Sequence, residues 1–131
     1  MIVDSSAVIA LIAGEPAAPR LSAALAKSPA SAMSAASYVE CAIVLQARGG
    51  QALVRRLDAL LRIAGVRIEP VTVSQAQIAV QAFHQFGRGS GSAARLNFGD
   101  CFTYALAAET GEPLLYVGDD FDATDLVSAL S

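Results

Sequence analysis

The chain has no tryptophan, a single histidine and two cysteines, and only 6% of its 131 residues are aromatic. One histidine, His84, cannot build a zinc site alone; beside Phe83 and Phe86 on an amphipathic stretch it reads as structural. Cys41 and Cys101 have neither CxxC spacing nor a disulfide framework, so both read as small buried packing residues in a reduced, cytoplasmic protein. Long apolar runs are also missing. Ala7 to Ala13 is too short to span a bilayer, and no basic stretch precedes it, so neither a membrane anchor nor a secretory signal is expected. Charge is sparse: twelve acids against nine bases leave a net −3, which argues against a general nucleic-acid coat resting on many phosphate contacts. A nuclease that grips a few phosphates locally stays open. The glycine- and serine-rich "RGSGSAAR" lacks the lysine of a GxxxxGK[ST] phosphate loop.

What is abundant is apolar. A hydrophobic fraction of 54% with 16% charged residues excludes disorder. The length suits one domain, residues 1–131, with no repeat or linker. "MIV" reads as a strand and "SSAVIALIAG" as a helix, with Asp4 at the junction. "EPAAPRLSAALAKS" is a second helix, and "PASAMS" is a weak strand candidate. "AASYVECAIVLQARGG" is a helix stopped by Gly49-Gly50, and "QALVRRLDALLRIAG" is an amphipathic one. "VRIEPVTV" is strand-like, Ser74 is placed to cap "QAQIAVQAFHQFG", and a helix follows Asn97 as far as Thr110, before Gly111. "EPLLYVGDDF" is a strand entering an acidic turn, and "LVSAL" is a short last element. Strands alternating with helices predict an α/β fold with a largely parallel sheet, in which ligands gather at strand carboxyl ends.

Four acids then stand out, each with a local explanation. Asp4 is placed to cap the helix after it. Glu40 lies in a nearly all-apolar helix, with Ser37 offering a capping box. Asp100 opens the apolar "ARLNFGDCFTYALA", where Asn97 caps and the helix dipole favours a carboxylate. Asp119 and Asp120 lie in a "GDD" turn, where aspartate is common. Together they fall at strand ends and helix starts that face one crevice in a parallel sheet. At about 4 Å two like charges repel by roughly 4 kcal/mol at an effective dielectric of 20. Such a cluster therefore either keeps protons or takes a divalent cation. Oxygen donors without His or Cys favour Mg²⁺ or Mn²⁺, which can activate water for phosphodiester hydrolysis. Arg88 and Arg95 flank the glycine-serine loop and are candidates to contact a substrate phosphate or pair with the acids.

"MIVDSSAVIALIAGEP", "SAASYVE", "ARLNFGDCFTYALA" and "LLYVGDDF", in this order and spacing, resemble the PIN-domain ribonucleases, and more narrowly the VapC toxins of type II toxin–antitoxin systems. The resemblance implies a three-layer α/β/α sandwich with a mainly parallel sheet and an Mg²⁺- or Mn²⁺-dependent endoribonuclease. It also implies inhibition by a cognate VapB-like antitoxin, an RNA substrate, a homodimer and larger toxin–antitoxin assemblies. It carries the catalytic acids onto Asp4, Glu40 and Asp100, with Asp119 as the fourth and Asp120 as its alternative. Asp4 and Asp100 are then the principal metal ligands, and Ser6 is a supporting hydroxyl. A competing expectation is a catalytically silent metal- or protein-binding module that acts through its partner. A covalent aspartate phosphoryl-transfer site fits less well, because "VDSSA" lacks the second acid of a DxD motif.

Overall fold

The computed structural model describes residues 1–130. Four parallel strands, β1 (Ile2–Val3), β2 (Ser31–Ser34), β3 (Val66–Glu69) and β4 (Leu114–Leu115), lie in the order β3-β2-β1-β4. Ile2 pairs with Ala32 on one side and Leu114 on the other, so β1 is central. Neighbouring strand residues point to opposite faces. Val3, Met33 and Leu115 pack with Val8, Leu21, Leu45 and Leu57 in one core. Ile2, Ala32 and Leu114 pack with Phe86, Leu96 and Leu106 in another. Helices α1 (Ser5–Ala13), α2 (Ala18–Ala26) and α3 (Ala35–Ala64) build the first layer, and α4 (Val73–Phe86) and α5 (Phe98–Thr110) the second. The α/β/α sandwich expected from the sequence is the one observed. With both faces covered, the inner strand β1 and its neighbour β4 are apolar throughout, whereas the edge strand β3 keeps the exposed Arg67.

Local sequence explains the joints. The Gly49-Gly50 pair leaves helical geometry, Gly50 at φ 68° and ψ −161°, and α3 kinks there into the two helical segments read from the sequence. Only glycine enters that region without strain. β3 stops at Glu69, because Pro70 has no N–H to continue a ladder. Helix α4 begins two residues earlier than expected: Thr72, not Ser74, is the cap, its hydroxyl accepting from Gln75 N at 3.1 Å. The last described residues form turns, tied back by a bridge between Leu114 and Ser128. Tyr104 and Tyr116 also anchor them, donating their phenol protons to Asp125 and Asp122 at 2.6 and 2.5 Å. Both cysteines are buried and free. His84 lies exposed in the last turn of α4. Among the described residues no single helix is long and apolar enough to cross a membrane.

Candidate active site

The carboxyl ends of β1 and β4 and the amino end of α5 meet around a cleft of about 240 Å³, lined by Asp4, Glu40, Asp100 and Asp120 together with Ser5 and Ser6. Two further predicted groups lie apart from it. Asp119, adjacent to Asp120 in sequence, faces a neighbouring cleft with Arg88 and Arg95, and Asp120 alone of the pair lines both. Consecutive residues in a turn point in different directions, which spacing in the sequence could not resolve.

Asp4 is 3% exposed and caps α1 through a 3.1 Å bond from Ser6 N. The capping reading of Asp4 therefore holds, and its other oxygen accepts from Thr103 Oγ1 at 2.7 Å. Thr103 Oγ1 in turn lies 2.8 Å from Ser37 Oγ, both residues 1% exposed. A hydroxyl has one proton, so with Thr103 donating to the carboxylate, Ser37 donates to Thr103. Thr103 does not stand out in the sequence, and Ser37 reads there only as a capping partner of Glu40. The available signal was spacing: Ser37 and Thr103 each stand three residues, one helical turn, from Glu40 and Asp100.

Ser37 consequently does not box Glu40. Ser34 caps α3, accepting from Ala36 N at 3.3 Å. Glu40 instead reaches across to Ser5, whose hydroxyl donates to Oε1 at 2.9 Å. Its other oxygen lies against the backbone of Gly99 in α5, where a Cβ would sit 2.1 Å from Oε2. Here glycine is required by close approach rather than by a left-handed backbone. Ser6 contacts none of the four acids through its hydroxyl. It accepts from Val117 N at 3.0 Å and so pins the start of the turn that carries Asp119 and Asp120.

Asp100 opens α5 in a reciprocal capping box: Asn97 Oδ1 accepts from Asp100 N at 2.9 Å, and Asp100 Oδ2 accepts from Asn97 N at 3.0 Å. Burial raises its pKa to about 7, against the lowering effect of that Asn97 bond, and the charges of Asp4, Asp120 and Glu40 add to the rise. The same surroundings silence the thiols. Cys41 is pushed up to about 12 by burial and by Asp4 and Glu40, and Cys101 to about 11 by burial and Asp100. Neither is a nucleophile at neutral pH.

No Arg, Lys or His lines the acid cleft, so its carboxylates face one another uncompensated. An all-oxygen donor set with a carboxyl group driven toward neutrality suits a hard divalent cation. Among the described residues no three Asp, Glu, His or Cys are arranged to hold one ion by themselves. That matches a cation held by one or two carboxylates and several waters, and disfavours zinc.

Comparison with known proteins gives a consistent picture. Residues 1–126 match the PIN domain family model. The chain is 50% identical over 126 residues to Ribonuclease VapC42 of Mycobacterium tuberculosis, covering 96% of each chain. It is 48% identical over 130 residues to Ribonuclease VapC28 of the same organism, covering 99% of this chain and 98% of the relative. Its fold is similar to the crystal structure of Mycobacterium tuberculosis VapC20, described as a sarcin-ricin loop cleaving toxin, with a TM-score of 0.75 at 24% identity, covering 96% of this chain and 95% of that one.

Proposed function

The chain belongs to the PIN-domain family and, within it, to the VapC ribonucleases, and from that premise we propose that Asp4, Glu40, Asp100 and Asp120 form the catalytic site of an endoribonuclease toxin. The observation that carries the assignment is the convergence of four carboxylates, with no basic side chain among them, on one cleft at the strand carboxyl ends. PIN-domain ribonucleases generally use divalent metal ions, and Mg²⁺ or Mn²⁺ fits this donor set best. Asp4 and Asp100 would hold the ion, with water completing its shell. Bound there, it supplies charge neutralisation and an activated water.

The remaining chemistry belongs to the chain. Thr103 and the Ser6 amide hold the Asp4 carboxylate in one orientation. The Asn97 box does the same for Asp100. Glu40, steadied by Ser5, orients the attacking water and accepts its proton. Asp120 borders the entrance from the arginine-lined cleft. Of the GDD pair, its place in the acid cleft favours it over Asp119.

A cognate VapB-like antitoxin, a homodimer and larger toxin–antitoxin assemblies in the cytoplasm complete the proposal. Val80, Phe83 and Phe98, all exposed, offer apolar surface for a second copy to bury. A monomer in sedimentation at micromolar concentration would remove the dimer. The decisive test of the site is RNA cleavage with Mn²⁺ or Mg²⁺, lost on chelation and in D4N and D100N proteins that keep their folded circular dichroism. Cleavage that persists in both variants would overturn the assignment, and binding of an antitoxin without cleavage under any metal condition would favour the silent module.

A further inference from the structure

We propose that the cleft between the 87–96 loop and the turn at Gly118–Asp120 is a second RNA-binding site, in which Arg88 and Arg95 hold a backbone phosphate next to the one cleaved. The inference rests on the ribonuclease reading above and extends it to how the strand is held.

The cleft has a volume of about 870 Å³ and meets the acid cleft at Asp120, which lines both. Its loop is a closed structure. Arg88 N donates to Leu96 O at 3.0 Å and Leu96 N to Phe86 O at 2.9 Å, which draws the loop's two ends together. Arg88 and Arg95 therefore stand side by side at the neck although they are far apart along the loop. Inside it, Ser90 Oγ and Ser92 Oγ accept from Ser92 N and Ala94 N at 3.2 and 3.1 Å. Arg95 has φ +56°, the only residue besides glycine with a positive φ among those described, a conformation costly for a residue with a Cβ. A backbone held there sets the direction of one side chain, and that side chain lines the cleft.

Charge points the same way. Both arginines are exposed, and neither forms an ion pair: among the described residues the only ion pairs are Arg67–Glu69 and the Met1 amine with Glu112. They are also the only basic residues lining either cleft. An RNA strand approaching the four acids is repelled by them, and the two arginines, which share their cleft with Asp119 and Asp120, are the nearest cleft-lining cations to offset that repulsion where the clefts adjoin at Asp120. The guanidinium fork matches phosphate oxygens with two donors at once. Gly89 and Gly91, also lining the cleft, leave space for the backbone.

The experiment compares wild type with R88A, with R95G, which accommodates the positive φ, with the double variant and with R88K/R95K. A randomised single-stranded RNA pool is the probe, followed by cleavage with Mn²⁺ and, separately, by anisotropy across a range of salt. The double variant is expected to raise KM about tenfold or more while kcat changes far less, and to flatten log KM against log salt by about 0.7, the change for one lost phosphate contact on a single strand. The lysine pair should keep the slope. Unchanged KM and slope in the double variant overturn the proposal, even if the same variant weakens antitoxin binding, which would assign the cleft to a protein partner. Loss of slope in the lysine pair as complete as in the double variant also overturns it, because a collapsed loop then explains the result. A wild type that binds the pool but cuts no RNA sinks the ribonuclease reading instead, and the anisotropy arm still decides the contact.

Discussion

The two clefts that share Asp120 are built on opposite principles. In the acid cleft the polar groups are held by partners: Asp4 by Thr103 and Ser6, Glu40 by Ser5, Asp100 by Asn97. In the other, Arg88 and Arg95 stand in solvent at the neck of a loop, with no carboxylate within ion-pair distance among the described residues. The first arrangement keeps like charges close and still, which is what chemistry on one bond needs. The second leaves cations exposed and unpaired, which suits a strand whose sequence varies. Positional order and charge are thus divided between neighbouring sites, and each can be disturbed without the other.

The largest effect should come from the acid side. Thr103→Val keeps the shape of the side chain but deletes the donor to Asp4, leaving the Ser37 hydroxyl without its acceptor as well. Loss of a group that orients a metal ligand typically costs about 10–100-fold. We expect that range in cleavage rate, with recovery in Thr103→Ser. A valine variant that cuts at the wild-type rate would show that the buried hydroxyl chain is only structural.

A smaller effect separates activity from stability. Gly99→Ala places a methyl where the Glu40 carboxylate lies, so Glu40 must swing away from Ser5. Alanine in a helix is favoured over glycine by up to about 1 kcal/mol, which offsets the disturbance. Cleavage should fall while the melting temperature stays close to wild type. Equal activity would mean that Glu40 works from another position, and a collapse in melting temperature would mean that the contact is a packing one.

The subtlest prediction concerns pH in the metal-free protein. The folded pKa of Asp100 is about 7 against an ordinary carboxyl value of 3.8, so between these values the folded chain holds more protons than the unfolded one. Its contribution to stability is full below about 4 and is lost as pH rises through 7. The melting temperature of wild type should therefore fall more steeply than that of D100N over this window, with Mn²⁺ restoring more of it at pH 8 than at pH 5. Parallel slopes for the two proteins would count against a crowded carboxylate cluster.

Much of this was readable in advance because it depends on local rules. The kink follows from two adjacent glycines and the α5 capping box from Asn97 and Asp100. Three of the acids are readable from where apolar runs begin and end. Thr103 was hidden, and Ser37 looked like a local cap, because a hydroxyl inside an apolar helix shows its distant partner only once another element is known to lie beside it. Arg88 and Arg95 were visible as flanking charges, but not as neighbours.

By itself, then, the order of residues determined the alternating elements, the covered parallel sheet and the presence of carboxylates at strand ends and helix starts, since each is set by periodicity, propensity and capping over a few residues. Only the tertiary structure decided that Asp120 rather than Asp119 faces Asp100, that Thr103 meets Asp4 across 99 positions of chain, and that Gly99 makes room for Glu40. The reason is physical. Those relations are contacts between elements, and they exist only once the two cores bring the helices onto the sheet and fix which side of each turn looks inward.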